Sequence, residues 1–183
     1  MKTLTIPANI LKAATMTMAK KDIRYYLNGV MLDGKRISGT NGHILFVAPF
    51  ECDLSGITEK THILITPNAS IMGMKGDCVI DFSAMTITDG KKIVTFAIVD
   101  GKFPDIDRVI PVESEYKDIE ARGCPMVDGE YMASAASIAG VLSAGVNKSY
   151  PAMVIYSRDD NSSLVFEYPC IEGAKTVLMP MRK

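Results

Sequence analysis

Apolar positions along this chain fall into short runs, most of them alternating with polar ones, and Asp-Gly and Asn-Gly pairs separate the runs. Such alternation predicts half-buried antiparallel strands, and those dipeptides favour the positive backbone dihedrals that close hairpins. Strands are expected at 25–32, 43–48, 79–82, 85–88, 93–99, 153–157, 164–168 and 176–179. Turns are expected at Asp33-Gly34, Asn41-Gly42, Asp89-Gly90, Asp100-Gly101, Asp160-Asn161 and Glu172-Gly173.

The pattern repeats. Ile65-Thr-Pro-Asn-Ala-Ser-Ile-Met-Gly73 aligns without a gap to Met132-Ala-Ser-Ala-Ala-Ser-Ile-Ala-Gly140, and with one gap to Ile6-Pro-Ala-Asn-Ile10. Each copy reads as a short strand running into a helix start, with small or cap-forming residues at the junction: Asn9, Asn68 with Ser70, and Ser134 with Ser137. The unit is therefore strand, helix, then three strands, present three times, which makes an α+β fold with antiparallel sheets. The first helix, 9–20, places Ile10, Leu11, Ala14 and Met18 on one face. The second, 68–74, is short and broken by Gly73 and Gly76. The third, 134–146, carries no charge and is apolar enough to be covered on more than one side. An odd number of units leaves an open sheet edge, and open edges invite pairing with another chain, so a homo-oligomer is expected.

One stretch organises the rest. Residues 98–111 read Ile-Val-Asp-Gly-Lys-Phe-Pro-Asp-Ile-Asp-Arg-Val-Ile-Pro. They leave a strand, turn at Asp100-Gly101 and run between Pro104 and Pro111, which disfavour a helix. With Phe103, Ile106, Val109 and Ile110 the stretch is too apolar for a loose linker and is expected to pack as a strap, with Arg108 facing a groove.

Composition narrows the function. The chain has 183 residues and 48% apolar content, ample for a core. Twenty Lys and Arg against 21 Asp and Glu leave a net charge of −1, so any nucleic-acid contact comes from local patches rather than a global field. Cys52, Cys78, Cys124 and Cys170 form no Cys-x-x-Cys pair and have no nearby histidine partner, which argues for reduced thiols and against a metal site. No signal-peptide core and no membrane span is legible, so a cytoplasmic location without membrane contact is expected. The chain lacks a nucleophile elbow, a phosphate-cradling glycine loop and a paired metal-ligand motif. Neither enzymatic activity nor a cofactor is expected, and no catalytic residue is assigned.

Four stretches carry a resemblance. Asp22-Ile-Arg-Tyr-Tyr-Leu-Asn-Gly-Val30, Thr40-Asn-Gly-His-Ile-Leu45, Val99-Asp-Gly-Lys-Phe-Pro-Asp-Ile-Asp-Arg-Val-Ile-Pro111 and Val177-Leu-Met-Pro-Met-Arg182 resemble signature stretches of the bacterial DNA polymerase III beta subunit, the sliding clamp, in the family's order. The resemblance makes 1–112 a complete clamp-like domain of two units, about 1–50 and 61–112. It makes 113–125 a linker and 126–183 half of a second clamp-like domain. The expected fold is DNA-clamp-like, in a shortened form.

The resemblance implies a processivity factor of DNA replication that encircles double-stranded DNA, without sequence specificity, as an oligomer. About four copies of a three-unit chain would close the family's ring. It implies partners among DNA polymerase and other clamp-motif proteins, and possible engagement of a clamp loader. It also implies a groove for their short linear peptides, lined by Leu27, Thr40, Gly42, His43, Leu45, Pro104, Arg108, Val109, Val177, Met179, Pro180, Met181 and Arg182. Methionines adapt to varied apolar ligands, which suits such a groove. On residues alone, His43 also reads as a turn-adjacent strand residue, and the C-terminal methionines also read as a frayed tail. Ile44 and Lys183 depart from the family, which usually has a basic residue at the first position and an apolar one at the second. Lys20, Lys21, Arg24 and one of Tyr25 and Tyr26 fall where the family faces DNA, although lysines there are also what a solvated helix end carries. The competing reading is a non-ring adaptor or decoy that captures clamp-binding peptides or a loader subunit.

Overall fold

The computed structural model describes residues 2–58, 62–117, 123–144 and 150–181. β1 (Thr3–Pro7) runs directly into α1 (Ala8–Thr17), followed by β2 (Val30–Leu32), β3 (Arg36–Thr40) and β4 (Ile44–Pro49). Next come β5 (Ile63–Pro67), β6 (Asp77–Asp81), β7 (Thr86–Thr88) and β8 (Ile93–Val99). The last elements are α2 (Gly129–Ser143), β9 (Val154–Tyr156), β10 (Leu164–Glu167) and β11 (Lys175–Leu178). All strands pair antiparallel in the order β1-β6-β7-β8-β5-β2-β3-β4-β11-β10-β9. β8 turns the corner between two sheets: Ile93, Val94 and Thr95 pair with β7, whereas Phe96 to Val99 pair with β5. The expected α+β fold on antiparallel sheets is what the chain adopts.

Each departure from the expected elements has a local cause. Residues 68–74 form turns, not a helix. So short a segment, with Gly73 inside it and Gly76 at φ 64° just beyond, cannot repay helix nucleation. Residues 132–140 lie wholly inside α2, so the short strand expected at the start of this copy is helix instead; Asp128 caps it by accepting from the Glu130 amide at 2.7 Å. The helix thus begins earlier than expected and includes Glu130, while Val146, its expected end, lies outside the described residues. α1 ends at Thr17, because Met18 is extended and the Ala19 amide turns away to bond the Leu27 carbonyl at 2.9 Å. Only Val30–Leu32 of the expected strand 25–32 is a strand; Tyr25–Leu27 is a single 3-10 turn, clasped by the Asn28 side chain, which bonds both the Asp22 amide and carbonyl.

β3 was not expected at all, since Arg-Ile-Ser-Gly-Thr has one apolar residue. It is nevertheless buried from Ile37 to Thr40. The reason is its small side chains: a Cβ on Gly39 would lie 2.1 Å from the Ala14 carbonyl oxygen, so only glycine lets α1 settle on the sheet. Thr17 completes the contact by donating to the Gly39 carbonyl at 2.9 Å.

Two apolar clusters form on opposite faces of the sheet. The larger joins the sheet to α1 and α2 through Ile6, Leu11, Leu32, Phe46, Ile138, Leu142, Phe166 and Leu178. The two helices touch one another, and Asn9 of α1 donates to the Leu142 carbonyl of α2 at 3.0 Å. The smaller cluster comprises Met31, Leu45, Val47, Leu64 and Val177 on the opposite face, sealed by Phe103 and Ile106 of the strap 98–111. Burial of those two side chains holds the strap down by about 1.5–3 kcal/mol each. Ion pairs fix its margins. Arg36 bridges Asp33 and Asp107 at 3.1 and 2.5 Å. Beyond the strap, Lys175 bonds Glu113 and the buried Tyr116 hydroxyl at 3.0 and 2.9 Å.

Candidate functional site

Where the strap meets the turn between β3 and β4, the chain encloses a cavity of about 240 Å3. Its walls come from four separate segments. Arg24, Tyr26 and Leu27 supply one, and Thr40, Gly42, His43, Ile44 and Leu45 a second. Pro104, Asp105, Ile106 and Val109 of the strap form the third, and Val177 and Met179 the fourth.

The sheet register brings these segments together. Leu45 faces Val177 across the β4–β11 pair, and the Met179 amide continues the ladder onto the His43 carbonyl at 2.9 Å. The β3–β4 turn is shaped by its own side chains: Asn41 Oδ1 accepts from the amides of His43 and Ile44 at 2.9 and 3.1 Å. Thr40 Oγ1 accepts from the Gly42 amide at 3.0 Å and donates to the Ile44 carbonyl at 2.8 Å. Gly42 has φ 92°, which suits glycine, and the Arg24 guanidinium lies 3.0 Å from where a Cβ would sit. Arg24 also donates to the Asn41 carbonyl at 3.1 Å and grips Asp22 through two nitrogens. The Arg24 hydrogen bonds hold the Asp22 carboxyl down at about 2, so this rim pair stays charged across the physiological range. His43 is exposed and stacks on Tyr131 of α2, ring centroids 5.7 Å apart.

A second trough, of about 550 Å3, continues from the first and shares Val109 and Met179 with it. It runs between the strap, from Asp107 to Val112, and the turn 158–163, with Pro180 at its end.

Of the expected groove residues, Leu27, Thr40, Gly42, His43, Leu45, Pro104, Val109, Val177 and Met179 line the first cavity; Arg108 and Pro180 line the second. Met181 is exposed and lines neither, although its amide bonds the Met126 carbonyl at 2.7 Å. Arg182 lies outside the described residues. Among the residues linked to DNA, Lys20, Lys21 and Tyr25 are exposed, whereas Arg24 and Tyr26 line the first cavity. Tyr131 was missed altogether; the Asp128 cap just upstream was the signal that would have started its helix there.

An apolar floor with a polar rim selects a side chain by shape and water exclusion. Burial pushes the thiols of Cys52, Cys78 and Cys170 up, away from the thiolate form a nucleophile needs. Among the described residues no three His, Cys, Asp or Glu side chains converge as a metal site.

A strap-covered antiparallel sheet with helices on its other face and this groove at its margin defines a protein of sliding-clamp fold. No protein-family model matches the chain. Its sequence is similar to curated beta sliding clamps: 28% identical over 182 residues to that of Escherichia coli K12, covering 92% of this chain and 46% of the relative. Against the beta sliding clamp of Pseudomonas putida it is 31% identical over 118 residues, 56% of this chain and 31% of the relative. The chain thus spans less than half the length of these relatives. The solved sliding clamp of Pseudomonas aeruginosa superposes with a TM-score of 0.64 at 19% identity, covering 99% of this chain and 66% of that one. The Bartonella birtlesii sliding clamp bound to griselimycin gives 0.69 at 19%, with the same two coverages. The chain has the fold of these sliding clamps. No helix among the described residues is long and apolar enough to cross a membrane.

Proposed function

We propose that this protein is a sliding-clamp-like processivity factor of DNA replication, non-enzymatic, that encircles DNA as an oligomer and binds short linear peptides of polymerases and other partners. The observation that carries the reading is the first cavity: an apolar pocket built from four sequence-distant segments, nine of whose lining residues coincide with the groove the sequence resemblance implies. The names of the curated relatives support the same role. In this reading residues 1–112 act as a complete clamp-like domain and 126–183 as half of another, joined by 113–125. Double-stranded DNA, DNA polymerase, other clamp-motif proteins and a clamp loader are the partners.

DNA contact is weak in this reading. The exposed side of α2 offers Glu130, Ala133, Ala136, Ser137 and Gly140 and no basic residue, so phosphate attraction rests on exposed lysines such as Lys20 and Lys21. Association is then sequence-independent, salt-sensitive and chiefly topological.

The test is retention on DNA. A ring stays on nicked circular plasmid during gel filtration and leaves when the plasmid is linearised; sedimentation gives a closed oligomer. The net charge of −1 and an exposed α2 face without a basic residue favour the second reading, a non-ring adaptor or decoy that captures clamp-binding peptides or a loader subunit. A monomer at micromolar concentration that binds clamp-motif peptide but is never retained on circular DNA would decide for it.

A further inference from the structure

We infer that β9 is an interface with a second copy of this chain, which lays its own β9 antiparallel against it about a two-fold axis, so that two third units close on each other. The inference goes beyond the proposed function and needs neither DNA nor peptide.

The three meanders of the fold are built alike except at this edge. β2-β3-β4, β6-β7-β8 and β9-β10-β11 all run antiparallel, and the first strand of the first two is covered by a further antiparallel strand, β5 on β2 and β1 on β6. β9 has no such cover among the described residues. Burial records the difference. β2 is buried throughout, and Cys78 and Ile80 of β6 are fully buried. In β9, Val154 and Ile155 stay 42% and 48% exposed. Successive strand residues point to opposite faces, so β9 is open on both.

The chain's other edges narrow what covers it. β1, at the far end of the sheet order, exposes Thr3 and Thr5, follows Lys2 and ends in Pro7, all features that discourage strand addition. Segment 123–127, just before α2, is already engaged: its Gly123 carbonyl accepts from the Ser157 hydroxyl at 2.9 Å, and its Met126 carbonyl from the Met181 amide at 2.7 Å. β9 carries no such guard within the strand, and residues 150–157, Tyr-Pro-Ala-Met-Val-Ile-Tyr-Ser, bear no charge. Its best complement is therefore the same edge of another copy. A pairing centred on Ile155 matches all three strand residues, with Ile155 opposite itself and Val154 opposite Tyr156 of the second copy. Cross-strand pairs of β-branched and aromatic residues are stabilising, and an isologous contact of this kind is complete with two copies.

The experiment combines sedimentation with cross-linking on the full chain. The parent is expected to self-associate at micromolar concentration. Ile155→Lys, at an exposed position, should raise the dissociation constant about tenfold or more and leave the circular dichroism of the chain unchanged. In a Cys124→Ser background, which removes an exposed natural thiol, Ile155→Cys should form a disulfide-linked dimer, because directly opposed antiparallel residues stand roughly 4.5–5.5 Å apart at Cα, within disulfide reach. Mixing that variant with Thr5→Cys should add no mixed species. A larger ring in which the 155–155 link forms supports the inference equally. A 155–5 link in place of the 155–155 link overturns it in favour of β1 as the occupant, and self-association undiminished by Ile155→Lys overturns it as well. A monomeric parent that binds clamp-motif peptide overturns it while leaving the peptide groove standing.

Discussion

The imidazole of His43 lies parallel to the ring of Tyr131, with an interplanar angle of 11°. One residue sits on the β3–β4 turn and the other in the first turns of α2, so the stack ties two distant segments together at the cavity mouth. A double-mutant cycle of His43→Ala and Tyr131→Ala is expected to give a coupling of about 0.5–1.5 kcal/mol in urea denaturation. Strict additivity of the two changes would rule out the tie.

Gly42→Ala is expected to cost about 1–3 kcal/mol, because φ 92° is strained for a residue with a Cβ. The Arg24 side chain can swing aside, so the cost is backbone strain more than collision. A midpoint shift in urea measures it; a variant as stable as the parent would show that the turn relaxes to another shape.

The two C-terminal methionines separate in their effects. Met179 lines both cavities and Met181 lines neither. Met179→Ala should weaken a clamp-motif peptide by about 1–2 kcal/mol, and Met181→Ala by under about 0.5 kcal/mol. Calorimetric titration resolves the two, and the opposite ranking would move the groove along the tail.

Acid should loosen the segment behind the strap. The hydrogen bond from Lys175, and then the Lys175 and Lys117 charges, hold Glu113 below its ordinary range. A depressed carboxyl adds stability above its unfolded pKa of about 4.3, and that stability fades as pH falls through the folded value. The melting temperature of Glu113→Gln should therefore lie below the parent's at pH 7 and converge with it towards about pH 3. A gap that persists undiminished at that pH would assign the difference to something other than ionisation.

What the sequence disclosed depended on whether burial and hydropathy agree. β8 was legible to the residue, because Ile93, Thr95 and Ala97 alternate outward against buried Val94 and Phe96. β3 was hidden because Ser38 and Thr40 are polar yet buried, a consequence of α1 closing over Gly39 that no local pattern reports. At the site, nine of the thirteen groove residues quoted from the resemblance line the first cavity, Arg108 and Pro180 line the second, and Met181 lines neither. Arg24 and Tyr26 were linked to DNA through the resemblance; that they also line the first cavity follows from the 3-10 turn at Tyr25–Leu27, which replaces the strand expected there.

The β4–β11 ladder also sets a schedule. Val177 and Met179 join residues near the start of the chain only after all intervening strands have been made, and contacts so distant in sequence form late. A nascent chain still short of β11 has no finished pocket to offer. On the proposed function, a peptide partner can therefore be captured only once synthesis has passed Met179.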